Sequence, residues 1–176
     1  MRLLSLAALP LAVALLAHTP PTSTAATQPN HRREAVQKEV RQFMSNWVSH
    51  WEHLDLERAM EGESDAPDFL YADVDGRQYD KAGLRKLCLD MLAGMSSEKV
   101  FTHKDHVYVL AEDAAVYAWS GAVEFTQKDG VVMRAEPYSA TFLLRHGQGG
   151  WKIVLQHESA LPPHPVHPVA PETKAP

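Results

Sequence analysis

Apolar positions along the chain recur first at the helical period and then at the strand period. Between Glu34 and Glu52, the residues Val36, Val40, Phe43, Met44, Trp47, Val48 and Trp51 fall three or four apart, which places them on one face of a long helix. Leu54 to Glu61 reads as a short second helix, closed by the Gly62 to Pro67 region. In DFLYADVDGRQY a short strand around Phe69 to Ala72 turns at Asp75-Gly76 and returns around Gln78-Tyr79. Asp80 is placed to cap a third helix, Lys81 to Met95, whose stripe is Leu84, Leu87, Cys88, Met91, Leu92 and Met95. Beyond Ser97 the period changes to two. Strands are expected over Lys99 to Leu110, Ala114 to Thr126, Val131 to Arg145 and Trp151 to Ser159, separated by short polar or glycine-rich turns. Helices first and a run of antiparallel strands afterwards is an α+β pattern, with helices packed on one face of a sheet.

Turn lengths set a register. Pairing Arg145 with Trp151 puts Tyr138 opposite Glu158 and Ser139 opposite His157; pairing Thr126 with Val131 puts Trp119 opposite Tyr138 and Gly121 opposite Glu136. One face then carries Tyr117, Trp119, Gly121, Glu136, Tyr138, Ala140, Phe142, Val154, Gln156 and Glu158. The other carries Val116, Ala118, Ser120, Ala135, Ser139, Thr141, Trp151, Ile153, Leu155 and His157.

The two ends stand apart from this pattern. Arg2 followed by the apolar run Leu3 to Ala17, with small residues around Ala25 and Ala26, is the layout of a secretory signal peptide over residues 1–26. It predicts a periplasmic or secreted protein with no membrane attachment after cleavage. Residues 27–31 then form a linker, residues 32–162 one domain, and residues 163–176, rich in proline, an extended tail that forms neither a ladder nor a helix. A single cysteine, Cys88, allows no internal disulfide, so packing must hold the core. A formal charge of −5 without a basic run argues against nucleic acid as a partner.

The element order, the stretch DAAVYAW at 113–119, and the ending T-x9-W-x5-H-x-S (Thr141, Trp151, His157, Ser159) resemble the nuclear transport factor two-like, or SnoaL-like, superfamily. Within it, the echo is of the association (hub) domain of calcium/calmodulin-dependent kinase. The resemblance implies a cone: a strongly curved sheet wraps around the helices, leaves a pocket at the open end, and pairs with a second copy through its outer face. The hub domain's pocket arginines match Gly121, Phe142 and Glu158 here. All three fall on the face that carries Trp119 and Tyr138, which makes Glu158 pocket-facing and His157 outward-facing. None of the three is an arginine, so the hub's anion-binding pocket does not carry over.

Candidate chemistry therefore sits on the inner face. Glu136 and Glu158 are expected to lie diagonally on neighbouring strands, roughly 7–8 Å apart at the backbone, with Tyr138 beside them. Like charges in an apolar pocket raise a carboxyl pKa, which suits general acid–base work. Trp47, Trp51, Phe69, Tyr71, Tyr117, Trp119 and Phe142 are the expected ligand-binding residues. No metal site and no cofactor is expected: His50 and His53 lack an H-E-x-x-H setting. The leading expectation is an exported domain that binds a small, largely apolar molecule and forms a homodimer. The alternatives are an acid–base isomerase, dehydratase or cyclase using Glu136, Glu158 and Tyr138, and a structural dimerisation module whose cone is filled by its own tryptophans.

Overall fold

The stripe read from the first helix is the stripe that is buried. In the computed structural model, which describes residues 27–166, helix α1 (Thr27–Glu52) packs Val36, Val40, Met44, Trp47 and Trp51 inward. Helix α2 (Leu56–Glu61) opens on Asp55, whose side chain accepts from the Arg58 amide at 3.2 Å. Two short strands, β1 (Leu70–Ala72) and β2 (Gln78–Tyr79), pair antiparallel. Helix α3 (Lys81–Leu92) is capped by Asp80, which accepts from the Gly83 amide at 2.7 Å. Four long strands come next: β3 (Met95–Ala111), β4 (Ala114–Gln127), β5 (Val132–Gly147) and β6 (Gly150–Ala160), and then the short β7 (His164–Pro165).

The sheet runs β2-β1-β6-β5-β4-β3, with β7 added to β5. β1 lies parallel to β6, and every other pairing is antiparallel. Gly130 and Gly150 hold the positive φ values, 90° and 86°, that the β4–β5 and β5–β6 turns require. Against the concave face sit α1 and α3, and Val40, Val107, Leu144 and Ile153 at its centre are fully buried. This is the curved α+β architecture expected of the cone.

Several boundaries differ from the pattern. α1 begins at Thr27, so the expected linker at 27–31 is its first turns. α3 ends at Leu92 rather than Met95, and Met95 instead opens β3, whose pairing with β4 outcompetes a further helical turn. The first residues of the proline-rich tail do join the ladder: β7 pairs with Met133 and Arg134. Its proline lacks a donor, but the Val166 amide supplies one to the Val132 carbonyl at 2.8 Å. Residues 1–26, the expected signal peptide, and 167–176 lie outside the described residues. Among the described residues no helix is long and apolar enough to cross a membrane.

Register keeps its parity in the centre of the sheet and loses it at two bulges. Trp119 lies opposite Ala140, Gly121 opposite Tyr138, and Ala140 opposite Glu158, two residues from the expected partners, so these side chains keep the expected face. Between Leu143 and Leu144 the pairing skips Val154, and beyond that point Ile153 and Trp151 turn inward. Both are buried, and the Trp151 indole donates to Glu39 at 3.2 Å. Between Gly121 and Val123 a second bulge skips Glu136 and Pro137 on β5. It brings Ala135 to the inner face and carries Glu136 off it. Ala135, Trp151 and Ile153 are thus corrected from outside to inside, and Glu136 from inside to outside.

Candidate functional site

Between the concave sheet face, α1 and α3 lies a cavity of about 680 Å³. Three of the chain's four tryptophans, Trp47, Trp51 and Trp119, line it without filling it. Trp47 and Trp51 come from consecutive turns of α1, their rings 5.7 Å apart and edge-to-face. Phe142 on β5 stands 5.4 Å from Trp47, also edge-to-face. Trp119 on β4 meets Tyr138 at 5.8 Å, and its indole donates to the Thr102 hydroxyl at 2.8 Å, which fixes the ring plane. Tyr117, Tyr71 and Phe125, which sequence reasoning did not single out, complete the aromatic wall, and Leu161 to Pro163 border it where the chain leaves β6.

One polar cluster interrupts this wall. Glu158 on β6 accepts from the hydroxyls of Tyr71, at 2.8 Å, and Tyr138, and from the Gln156 amide at 2.6 Å. The cluster arises from topology: β1 runs parallel beside β6 and β5 antiparallel on its other side, so Glu158 sits between a tyrosine from each neighbour. Burial raises the Glu158 pKa; the three donors pull against it, and Asp73 adds to the rise. Burial and the Glu158 charge likewise push both tyrosines above their ordinary range. Each hydroxyl therefore keeps its proton and donates.

A second carboxyl faces the same space from β3. Glu98 is pushed up to about 7, first by burial and then by the charges of Glu158 and Glu52. Deeper, outside the cavity wall, Glu63 is fully buried and raised to about 8 by desolvation, opposed chiefly by Lys81. The Trp47 indole N–H stands close enough to oppose that rise but makes no hydrogen bond to it.

Of the residues singled out from the sequence, the structure brings Glu158, Tyr138, Trp47, Trp51, Tyr71, Tyr117, Trp119 and Phe142 to one cavity. Phe69 is buried in the core but does not line the cavity. Glu136 is not beside Glu158. It lies outside the cavity, where Arg134 Nε bonds it at 2.7 Å and holds its carboxyl below the usual range, with His103 at 3.6 Å. The like-charge pair is Glu98 with Glu158. With β3 starting at Met95, the two-residue spacing of Glu98 and Val100 would have put Glu98 on the inner face. Glu63 gives no such signal: it sits in a loop, bridged to Ile153 by a single strand-like contact.

No family model and no curated protein matches the sequence. Solved structures match the fold. A protein assigned as a scytalone dehydratase from Novosphingobium aromaticivorans is 10% identical and covers 84% of this chain and 99% of its own, with a TM-score of 0.69. A hexachlorocyclohexane dehydrochlorinase, type 2, is 12% identical and covers 82% and 99%, with a TM-score of 0.66. A ketosteroid isomerase-like protein from Erwinia carotovora atroseptica is 20% identical and covers 72% and 97%, with a TM-score of 0.58. The chain has the nuclear transport factor two-like, SnoaL-like fold. Shared folds host many activities, so the site must carry the functional argument.

Proposed function

We propose that this is an exported domain that holds a small, largely apolar molecule in its cone, and that it works as a homodimer. The observation that carries the reading is the open cavity of about 680 Å³, walled by aromatic rings and interrupted by one polar cluster at Glu158. A preformed concave space with few polar groups is the usual anatomy of a small-molecule site. Fold neighbours that include a dehydrochlorinase and proteins assigned as a dehydratase and isomerase-like are in keeping with a ligand in this space.

A second reading has its own support. Two tyrosine hydroxyls converge on a carboxyl whose pKa is raised, and a second raised carboxyl faces the same cavity. Such groups can hold a proton at neutral pH and hand it to a bound substrate, so Glu158 and Tyr138 are candidates for acid–base chemistry of the isomerase, dehydratase or cyclase kind. Glu98 takes the place expected of Glu136.

Native mass spectrometry of the purified full chain should find a co-purified small molecule. Its removal should change the emission of Trp119, and Trp119→Phe should abolish most of that change. A chain that carries nothing and whose fluorescence ignores a panel of apolar compounds would overturn the reading. Export is tested separately by N-terminal sequencing from an extracytoplasmic fraction, where the mature chain should begin near Thr27. Recovery of Met1 in the cytoplasm would refute it.

A further inference from the structure

Resting on that pocket reading, we infer that the ligand is an organic cation: an apolar, aromatic-sized molecule bearing one protonated amine or quaternary ammonium group. The carboxyls that line the cavity are Asp73, Asp75, Glu98 and Glu158, and no lysine, arginine or histidine lines it among the described residues. One of these, Asp75, is already answered by a cation, Arg77, at 2.5 Å. Asp73 has only neutral donors, the Val74 amide at 2.7 Å and the Tyr71 hydroxyl at 3.2 Å. Glu158 has three neutral donors and no cation. Glu98 has neither a hydrogen bond nor a cation among the described residues to offset its burial.

Cations near the domain's interior are committed elsewhere. Lys81 reaches the Glu63 carbonyl at 2.9 Å and Asp65 at 2.7 Å, Arg134 binds Glu136 on the outer face, and Arg41 binds Asp105 at 2.9 Å. A lone carboxyl in an apolar wall is costly unless something compensates it. No side chain of the wall does so, and a bound ammonium group would. The remaining surface suits the same guest. Indole, phenol and phenyl faces attract a cation within about 6 Å of their centroids, tryptophan most strongly, and Trp47, Trp51, Trp119, Tyr117 and Phe142 supply five such rings to the cavity that holds the two carboxyls. Above about pH 7, where Glu98 gives up its proton, an anionic guest would meet like charge and a neutral one would leave the Glu98 carboxylate unanswered.

The test uses three naphthalene probes of nearly equal size against the purified full chain, by calorimetry at about pH 8: 1-naphthylmethylamine, 1-naphthylmethanol and 1-naphthoate. The amine should bind about tenfold tighter than the alcohol, and the acid should not bind. Glu98→Gln should bring amine and alcohol to within about twofold, because it removes the charge and keeps the shape. Glu136→Gln, outside the cavity, should leave the preference intact. Glu158→Gln should act like Glu98→Gln; because it sits at the centre of a hydrogen-bond cluster and its fold is at risk, Glu98→Gln decides. An alcohol that binds as well as the amine overturns the cation inference while leaving the pocket reading standing. An amine preference that survives Glu98→Gln overturns it too. Failure of all three probes to bind overturns the pocket reading itself.

Discussion

Glu63 has no exposed surface and neither of its carboxyl oxygens has a hydrogen-bond partner. Desolvation holds its pKa at about 8 against the ordinary 4.5, although Lys81 stands close enough to oppose the shift. A carboxyl whose folded pKa is raised binds its proton more tightly in the folded chain than in the unfolded one. Its contribution to stability is therefore complete below about 4.5 and is lost as pH climbs toward 8. At pH 8 the loss is at most roughly 4 kcal/mol. Glu98, raised to about 7, adds a smaller loss in the lower part of the same window. Glu63→Gln keeps the shape and removes the charge. In urea unfolding from pH 5 to pH 8, the wild type should weaken steadily, and Glu63→Gln should flatten the curve and exceed the wild type at the alkaline end. Parallel curves would mean that Glu63 does not titrate in this window.

At the scale of elements, Gly121 marks where β3 and β4 press together. A Cβ built there would land on the Phe101 carbonyl oxygen, and would stand 2.7 Å from the Trp119 ring. The resemblance to the hub domain puts Gly121 on the pocket face, at the position of a pocket arginine. The inner face is right, but the space is already taken by the neighbouring backbone. Gly121→Ala should cost about 2–4 kcal/mol in urea unfolding, because the rigid backbone of β3 must move. A loss below about 0.5 kcal/mol would show that the strands yield freely. The same strands show how much of the site is legible in the sequence. Helix stripes and the two-residue alternation of β4 to β6 are written in the side chains, so Trp119, Tyr138, Phe142 and Glu158 can be placed together. Bulges are written there only faintly: skipping Val154 changes no local pattern, and Pro137, which cannot donate to the ladder of a central strand, signals a break without saying which residues it skips, yet each bulge reverses the facing of the neighbouring side chains. Strict alternation therefore puts Ile153, Trp151 and Ala135 outside and Glu136 inside. Glu98 escapes for a related reason, since a strand start set four residues late leaves it in a turn.

For the whole molecule, the outer face of the sheet raises the question of a second copy. Across it runs one apolar row, each residue paired with the next: Tyr108, Val116, Leu143, Leu155 and Leu70. Beside it runs a row of smaller or polar side chains: His106, Ala118, Thr141, His157 and Ala72. His157 opposes Thr141 rather than the Ser139 expected from turn lengths, and it is exposed. Tyr108 is 51% exposed, while Val116, Leu143 and Leu155 are only partly covered within one chain. A continuous apolar row of this kind on a sheet surface favours burial against a partner, and the loss of Ile153 to the core removes one residue from the expected face. We propose that two copies meet across these rows, with Ala118 near the centre, where its small side chain permits close approach. Light-scattering chromatography should find the wild type at twice the chain mass. Ala118→Arg should elute as a monomer with an unchanged circular dichroism spectrum, since the side chain points away from the core and the charge is stranded only in the dimer. A variant that remains dimeric would move the interface elsewhere, and a monomeric wild type would leave the apolar row facing water.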